Sequence, residues 1–145
     1  MDIVSAATRS RMMSGIRSSD TKPEIQLRKT LHAWGFRYRL NAKTLGYKPD
    51  IVLPKYRMVI FAHGCFWHRH ANCKYATTPG TNIDKWQIKF TENTHRDKRV
   101  EQAFLENGWR VALIWECWAK KKMDISWLQN WIKESREPFI SWPTP

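Results

Sequence analysis

The sequence predicts a single α/β domain with a mixed central sheet flanked by helices. Three observations point there. Its 145 residues are one domain's length, and 42% of them are hydrophobic, enough for one core. The hydrophobic periodicity switches along the chain in the order helix, strand, strand, strand, helix, strand, helix. Met58 to Ala62 is a continuous apolar run, as a central strand should be, and Trp109 to Glu116 reads as another strand beyond a long helical segment.

The elements follow in order. Residues 1–20 are polar and basic, with Met12, Met13 and Ile16 as their apolar cluster, and are expected to form a short helix or arm that docks only partly. Asp20-Thr21-Lys22-Pro23-Glu24 carries a capping residue, a first-turn Pro and an acid facing a helix N-terminus. Leu27, Leu31 and Trp34 then repeat at i, i+4, i+7, one apolar helix face, and Gly35 ends it. Phe36 to Leu40 alternates with period two, as a half-buried strand does. Asn41 to Lys48 is a loop, Asp50 to Leu53 a short strand, and Pro54 to Arg57 a turn. Residues 63–82 form a long connection, and a loop of that length in a compact domain is usually functional. Asn82 to Asn107 reads as a long helix closed by Asn107-Gly108. Asp124 starts a last helix, with Ile125, Leu128 and Ile132 on one face. The expected division is a basic arm at 1–20, the folded domain at 21–137 and a loose tail at 138–145, rich in Pro.

Composition narrows the function classes. Lys and Arg number 25 against 13 acids, a net charge of +12. That surplus repels itself and is best tolerated beside a polyanion; phosphate neutralisation makes nucleic acid the leading partner. No segment pairs a basic face with a long apolar one, which argues against a membrane surface. No run is long and apolar enough for a membrane span, and Met1 to Val4 lacks a signal-peptide start, so a cytoplasmic location is expected. Three Cys in such a chain are not a disulfide framework, which leaves metal ligands, a nucleophile or buried apolar residues.

Three constellations carry chemistry. Cys65, His70 and Cys73 lie within nine residues, and Cys117 follows the last apolar strand. Three thiolates and an imidazole make a closed, structural Zn²⁺ site that would staple the long loop; His68 is the alternative imidazole. Asp50 places a carboxylate at a strand start, and the next strand ends in Ala62-His63. In nuclease sheets of the PD-(D/E)xK type a second acid and a Lys stand there; here the Ala62 backbone carbonyl and the His63 imidazole take the place. Asp50 and that carbonyl can hold Mg²⁺, which is satisfied by a few oxygens and waters, with His63 and His68 suited to proton transfer. Finally, Phe66-Trp67 sits in a polar loop where no core demands it. Trp86, Lys89, Asn93, Arg96 and Asp97 recur on one face of the long helix. Aromatics beside basic and amide groups are what base stacking and base-edge reading require.

His63-Gly64-Cys65-Phe66-Trp67-His68, with Asp50 upstream and Glu116-Cys117 downstream, resembles the Vsr proteins, very short patch repair endonucleases. Ala7-Thr8-Arg9-Ser10, Thr21 to Glu24, Gly35-Phe36 with Arg39, Asn93 with Arg96-Asp97, and Gly108 to Val111 extend the likeness over residues 7–118. The resemblance implies an endonuclease-like α/β fold with a zinc-stapled loop. It also implies Mg²⁺-dependent nicking on the 5′ side of the thymine in a T:G mispair left by deamination of 5-methylcytosine. By position, Asp50 resembles the metal-binding aspartate, with the Ala62 carbonyl beside it where the family has Thr. His63 and His68 resemble the catalytic histidines, and Glu24 and Asp97 supporting acids. Cys65, His70, Cys73 and Cys117 resemble the zinc ligands. Phe66, Trp67 and Trp86 resemble aromatics wedged beside the mispair, Lys89 and Asn93 residues at the mispair, and Met13 one approaching from the arm; Arg96 joins the DNA-binding set. The implied substrate is double-stranded DNA with a T:G mismatch, bound by a monomer with no membrane partner; contact with general mismatch-repair proteins stays open. The rival readings are a restriction-type or junction-specific nuclease on the same fold and a non-catalytic zinc DNA-binding module.

Overall fold

The computed structural model describes residues 21–144. The basic arm, and with it Met13, lies outside the described residues. Helix α1 (Lys22–Ala33) starts where its cap chemistry places it: the Thr21 hydroxyl accepts the Glu24 N–H, and Pro23 stands in the first turn. Leu27 and Leu31 are fully buried, while Trp34 caps the C-terminus half-buried. Gly35 then takes φ +85°, the left-handed conformation that closes a helix and that glycine adopts without strain.

The sheet has five strands in the order β1-β2-β3-β4-β5: β1 (Arg39–Leu40), β2 (Ile51–Leu53), β3 (Met58–His63), β4 (Arg110–Trp115) and β5 (Phe139–Trp142). The first three are antiparallel neighbours, and the last three run parallel. Parallel neighbours need a crossover, which the long helix α2 (Ile83–Glu106) supplies between β3 and β4. Helix α4 (Trp127–Glu134) supplies it between β4 and β5, after the one-turn helix α3 (Cys117–Lys120).

Alternation along the central strands builds two cores. Ile51, Leu53, Met58, Ile60, Ala112 and Ile114 face Leu27 and Leu31 of α1 and Leu128 and Ile132 of α4. Val52, Val59, Val111 and Leu113 face Phe104 of α2. Strands covered on both faces are apolar at every position, which is why β3 and β4 read as continuous runs rather than alternating ones.

Two expectations change. The strand predicted over Phe36 to Leu40 is reduced to two residues, because Phe36 turns into the core against Tyr56 and Trp34. The tail read as loose from 138 contains β5 instead. Its pairing follows from β4: a buried strand flanked on one side only would leave its outer row of N–H and C=O groups unpaired. Val111 N–H donates to Pro138 O at 2.8 Å, and β5 continues that ladder. Pro138 and Pro143 fall just outside the strand, where no ladder N–H is required. Among the described residues no helix is long and apolar enough to cross a membrane.

Candidate active site and metal centre

The end of β3, the start of β2, α1 and the middle of α2 enclose a cavity of about 980 Å³. Its lining includes Glu24, Asp50, Ala62, His63, His68 and Asp97. Asp50 immediately precedes β2, and its Oδ2 accepts the Ala62 N–H at 2.7 Å. Burial pushes the Asp50 carboxyl up to about 7; the Ala62 hydrogen bond opposes this, and the nearby Glu24 carboxylate adds to it. Glu24 is itself 2% exposed and pairs with Arg28 at 2.8 Å. A desolvated carboxylate of this kind gains most from a cation.

His63 closes β3 and is buried, and burial holds its imidazole well below the usual value, with the nearby His68 adding to the effect. Its Nδ1 is buried without a hydrogen-bond partner. After Gly64 the chain doubles back, with His68 N–H donating to Gly64 O at 3.1 Å. That turn stacks the His68 ring on His63, centroids 4.0 Å apart and planes 6° apart. His68 Nδ1 meets Asp97 Oδ2 at 2.6 Å, a contact that joins the loop to α2 across 29 positions. A carboxylate oxygen accepts, so Nδ1 is the donor in this contact and the Nε2 lone pair is not engaged by it.

The second cluster lies on the far side of the same turn. Cys65, His70, Cys73 and Cys117 bring one ligand atom each within 4.8 Å of one another. His70 Nδ1 is 3.6 Å from both Cys65 Sγ and Cys117 Sγ. A tetrahedral Zn²⁺ with its usual bond lengths to sulfur and nitrogen separates such ligands by about 3.6 Å, so the donors fit that ion. The other imidazole nitrogen, Nε2, contacts the Pro143 carbonyl at 2.8 Å, the partner that fixes a metal-binding tautomer. Trp115 stacks on the ring at 4.3 Å. Burial raises the Cys65 and Cys117 thiols. Cys73 is also pushed up by burial, but the Tyr75 backbone and the neighbouring thiols pull it below its ordinary value.

The third constellation walls the cavity. Trp67 is half-buried between Trp86, 5.7 Å away, and the Lys89 ammonium, 5.1 Å above its ring. Asn93 Nδ2 donates to the Trp67 carbonyl at 3.3 Å, and its Oδ1 accepts from Arg96 at 3.2 Å. Phe66 has a packing role that the sequence did not suggest: its ring meets Phe90, which is 3% exposed, and Trp86.

The structure therefore brings Glu24, Asp50, Ala62, His63, His68 and Asp97 into one cavity. It groups His70, rather than His68, with the three thiols. Lys89, Asn93 and Arg96 line the cavity beside Trp67, while Trp86 backs the Phe66 and Trp67 rings. Sequence reasoning missed Glu101, a buried cavity acid one helical turn after Asp97, whose carboxyl is raised by burial. The i+4 spacing from Asp97 was the available signal. It also missed Glu116, whose backbone N–H donates to His63 O at 2.9 Å while its Oε1 accepts the Cys65 N–H at 3.1 Å. The Pro143 carbonyl carried no sequence signal, because any residue supplies one.

Comparison with known proteins agrees with this geometry. A family model described as DNA mismatch endonuclease Vsr matches residues 1–74. The Type II nicking enzyme V.XorIIP of Xanthomonas oryzae pv. oryzae is 44% identical over 116 residues, 80% of this chain and 85% of that protein. The Type II nicking enzyme V.NmeAIP of Neisseria meningitidis is 46% identical over 121 residues, 83% of this chain and 86% of that one. The DNA mismatch endonuclease Vsr of Escherichia coli is 40% identical over 116 residues, 80% of this chain and 74% of that one. Among solved structures, the catalytic domain of a homing endonuclease shares the fold, with a TM-score of 0.50 at 19% identity over 80% of this chain and 94% of that chain. The chain belongs to the Vsr family of DNA mismatch endonucleases.

Proposed function

We propose that this endonuclease nicks one strand on the 5′ side of the thymine in a T:G mispair arising from 5-methylcytosine deamination, and that it works as a cytoplasmic monomer. The observation that carries the reading is the Asp97–His68 pair, stacked on His63 in the cavity that holds Asp50 and is walled by Trp67.

Each side chain has a task its surroundings support. His68, with Nδ1–H directed at Asp97, takes a proton at Nε2 from the attacking water. Asp97 fixes that tautomer and stabilises the imidazolium that forms. His63, kept neutral by burial, sets the plane of the His68 ring. Asp50 and the Ala62 carbonyl offer hard oxygen donors for Mg²⁺. When bound there, Mg²⁺ supplies charge neutralisation at the scissile phosphate. Glu24 stays paired with Arg28 and buttresses Asp50. Cys65, His70, Cys73 and Cys117 would hold Zn²⁺, which would join the loop to the end of β4 as a closed structural site rather than a reactive one.

Specificity comes from the wall. Aromatic rings pushed between base steps unstack a duplex at about a few kcal/mol per step, and a wobble pair resists less than a Watson–Crick pair. Trp67, with Phe66 and Trp86 behind it, is the wedge; Lys89 and Asn93 act at the mispair, and Arg96 adds to the DNA-binding set.

The test is nicking of an end-labelled duplex carrying one T:G mispair, with and without Mg²⁺, against its fully paired counterpart. Mg²⁺-dependent cutting of the T:G strand alone is expected. Equal cutting of the paired duplex would overturn the reading.

A further inference from the structure

We infer that Arg69 is a positioning residue for mismatch specificity: it holds the Phe66-Trp67 turn in shape against α2 and contacts no phosphate. The inference rests on the aromatic wedge proposed above. In a chain of net charge +12 the first expectation for an arginine in the DNA-facing loop is a phosphate contact.

Arg69 is committed elsewhere. One terminal nitrogen donates to Phe66 O at 3.3 Å and Thr77 O at 2.8 Å. The other donates to Ala76 O at 3.1 Å and Thr78 Oγ1 at 3.1 Å. The guanidinium carbon Cζ lies over the Phe90 ring, 4.1 Å from its centroid, and 5.8 Å from that of Phe66. The fork that would grip a phosphate through two parallel hydrogen bonds is thus spent inside the loop.

The geometry of the turn shows what this achieves. Arg69 lies between His68, on the catalytic side, and His70, on the metal side. Its backbone has φ +55°, a left-handed conformation that side chains other than glycine adopt reluctantly. The hydrogen bonds from His68 N–H to Gly64 O and from His70 N–H to Cys65 O define the turn around it. Its side chain reaches across to 76–78, tying both limbs of the loop to Phe90 on α2. Without that tie, Trp67 keeps its Asn93 hydrogen bond and ring contacts, but the limb that carries it loses its anchor. Ordering the limb would then fall on the same step that opens the base pair, where it subtracts from binding to the mispair.

Two variants separate the side chain from its charge and from the backbone strain. Arg69→Lys keeps the charge but lacks the fork. Arg69→Gly removes the side chain and suits the left-handed backbone. Dissociation constants for T:G and paired duplexes are measured over a series of salt concentrations, with near-UV circular dichroism to verify packing. Both variants should lose about tenfold in preference for T:G over paired DNA, near the lower end of what one stacked base contributes. Affinity for paired DNA and the salt slope should stay unchanged. A fall in both affinities alike, with the slope for Arg69→Gly reduced by about one, would show a phosphate contact instead. An unchanged preference in Arg69→Lys overturns the inference even if Arg69→Gly fails to fold. Trp67→Ala serves as the reference. If it too leaves the preference intact, the wedge is wrong; if it abolishes the preference while the Arg69 variants keep it, only the role of Arg69 falls.

Discussion

Asp50 should make the protein less stable than it could be. Its carboxyl has an ordinary value of 3.8 and is raised to about 7 in the folded chain, mainly by burial. A folded-state value above the unfolded one means that the contribution to stability is fully present below pH 3.8 and is lost as pH rises through 7. At ~1.4 kcal/mol per pH unit between the two values, keeping the ionised group buried at pH 8 costs about 4 kcal/mol. Asp50→Asn retains an oxygen to accept the Ala62 N–H and removes the charge. Urea unfolding followed by tryptophan fluorescence, with the zinc site intact and no Mg²⁺, should find the variant more stable than the parent. The difference should grow from about 2 kcal/mol at pH 5.5 to about 4 kcal/mol at pH 8. Comparing both proteins at the same pH cancels the titration of the metal centre, which they share. Added Mg²⁺ should stabilise the parent and leave the variant unmoved, because only the parent binds it there. Nicking should be abolished in the variant while paired-DNA binding persists, since the basic surface is untouched. A variant less stable at pH 8, or a difference that does not change with pH, would refute the argument that an uncompensated charge is buried at this position.

Three further outcomes are expected. Elemental analysis should find about one zinc per chain, and Cys117→Ser should lower thermal stability and metal content together, because a structural site contributes folding free energy. Asp97→Asn should reduce the single-turnover nicking rate by about 10²–10⁴-fold with little change in DNA affinity, since it disrupts the proton placement on His68 rather than a binding contact. Trp67→Ala should cost about 1–3 kcal/mol of affinity for T:G duplex, read by fluorescence anisotropy at fixed salt, and much less for paired duplex.

The residue pattern alone was enough to read the central strands, the two long helices and the two chemical clusters. Met58 to Ala62 and Val111 to Trp115 read as strands covered on both faces, because every position in them is apolar. Thr21 with Pro23, and Asn107 with Gly108, marked where helices begin and end, because capping acts over three or four residues and is written locally. The Cys65-to-Cys73 cluster and the His63-to-His68 string are legible for the same reason: their members are close neighbours in the chain. Tertiary structure decided what depends on distant partners. His68 and His70 both lie within five residues of Cys65 in sequence, and only the fold of the turn sends one to Asp97 and the other to Cys117 and Pro143. The segment at 139–142 looked like a loose tail because Pro138 and Pro143 bracket it and four residues are too few to show a period; the unpaired edge of buried β4 makes it a strand. Arg69 has the charge of a DNA contact, yet carbonyls up to eight positions away and the Thr78 hydroxyl use its donors. The ionisation of Asp50 was equally hidden, because it is set by the solvent the fold excludes and by Glu24 from another element, not by the Pro49-Asp50 motif. Periodicity encodes which face of an element is buried; which partners meet there is settled only when the elements pack.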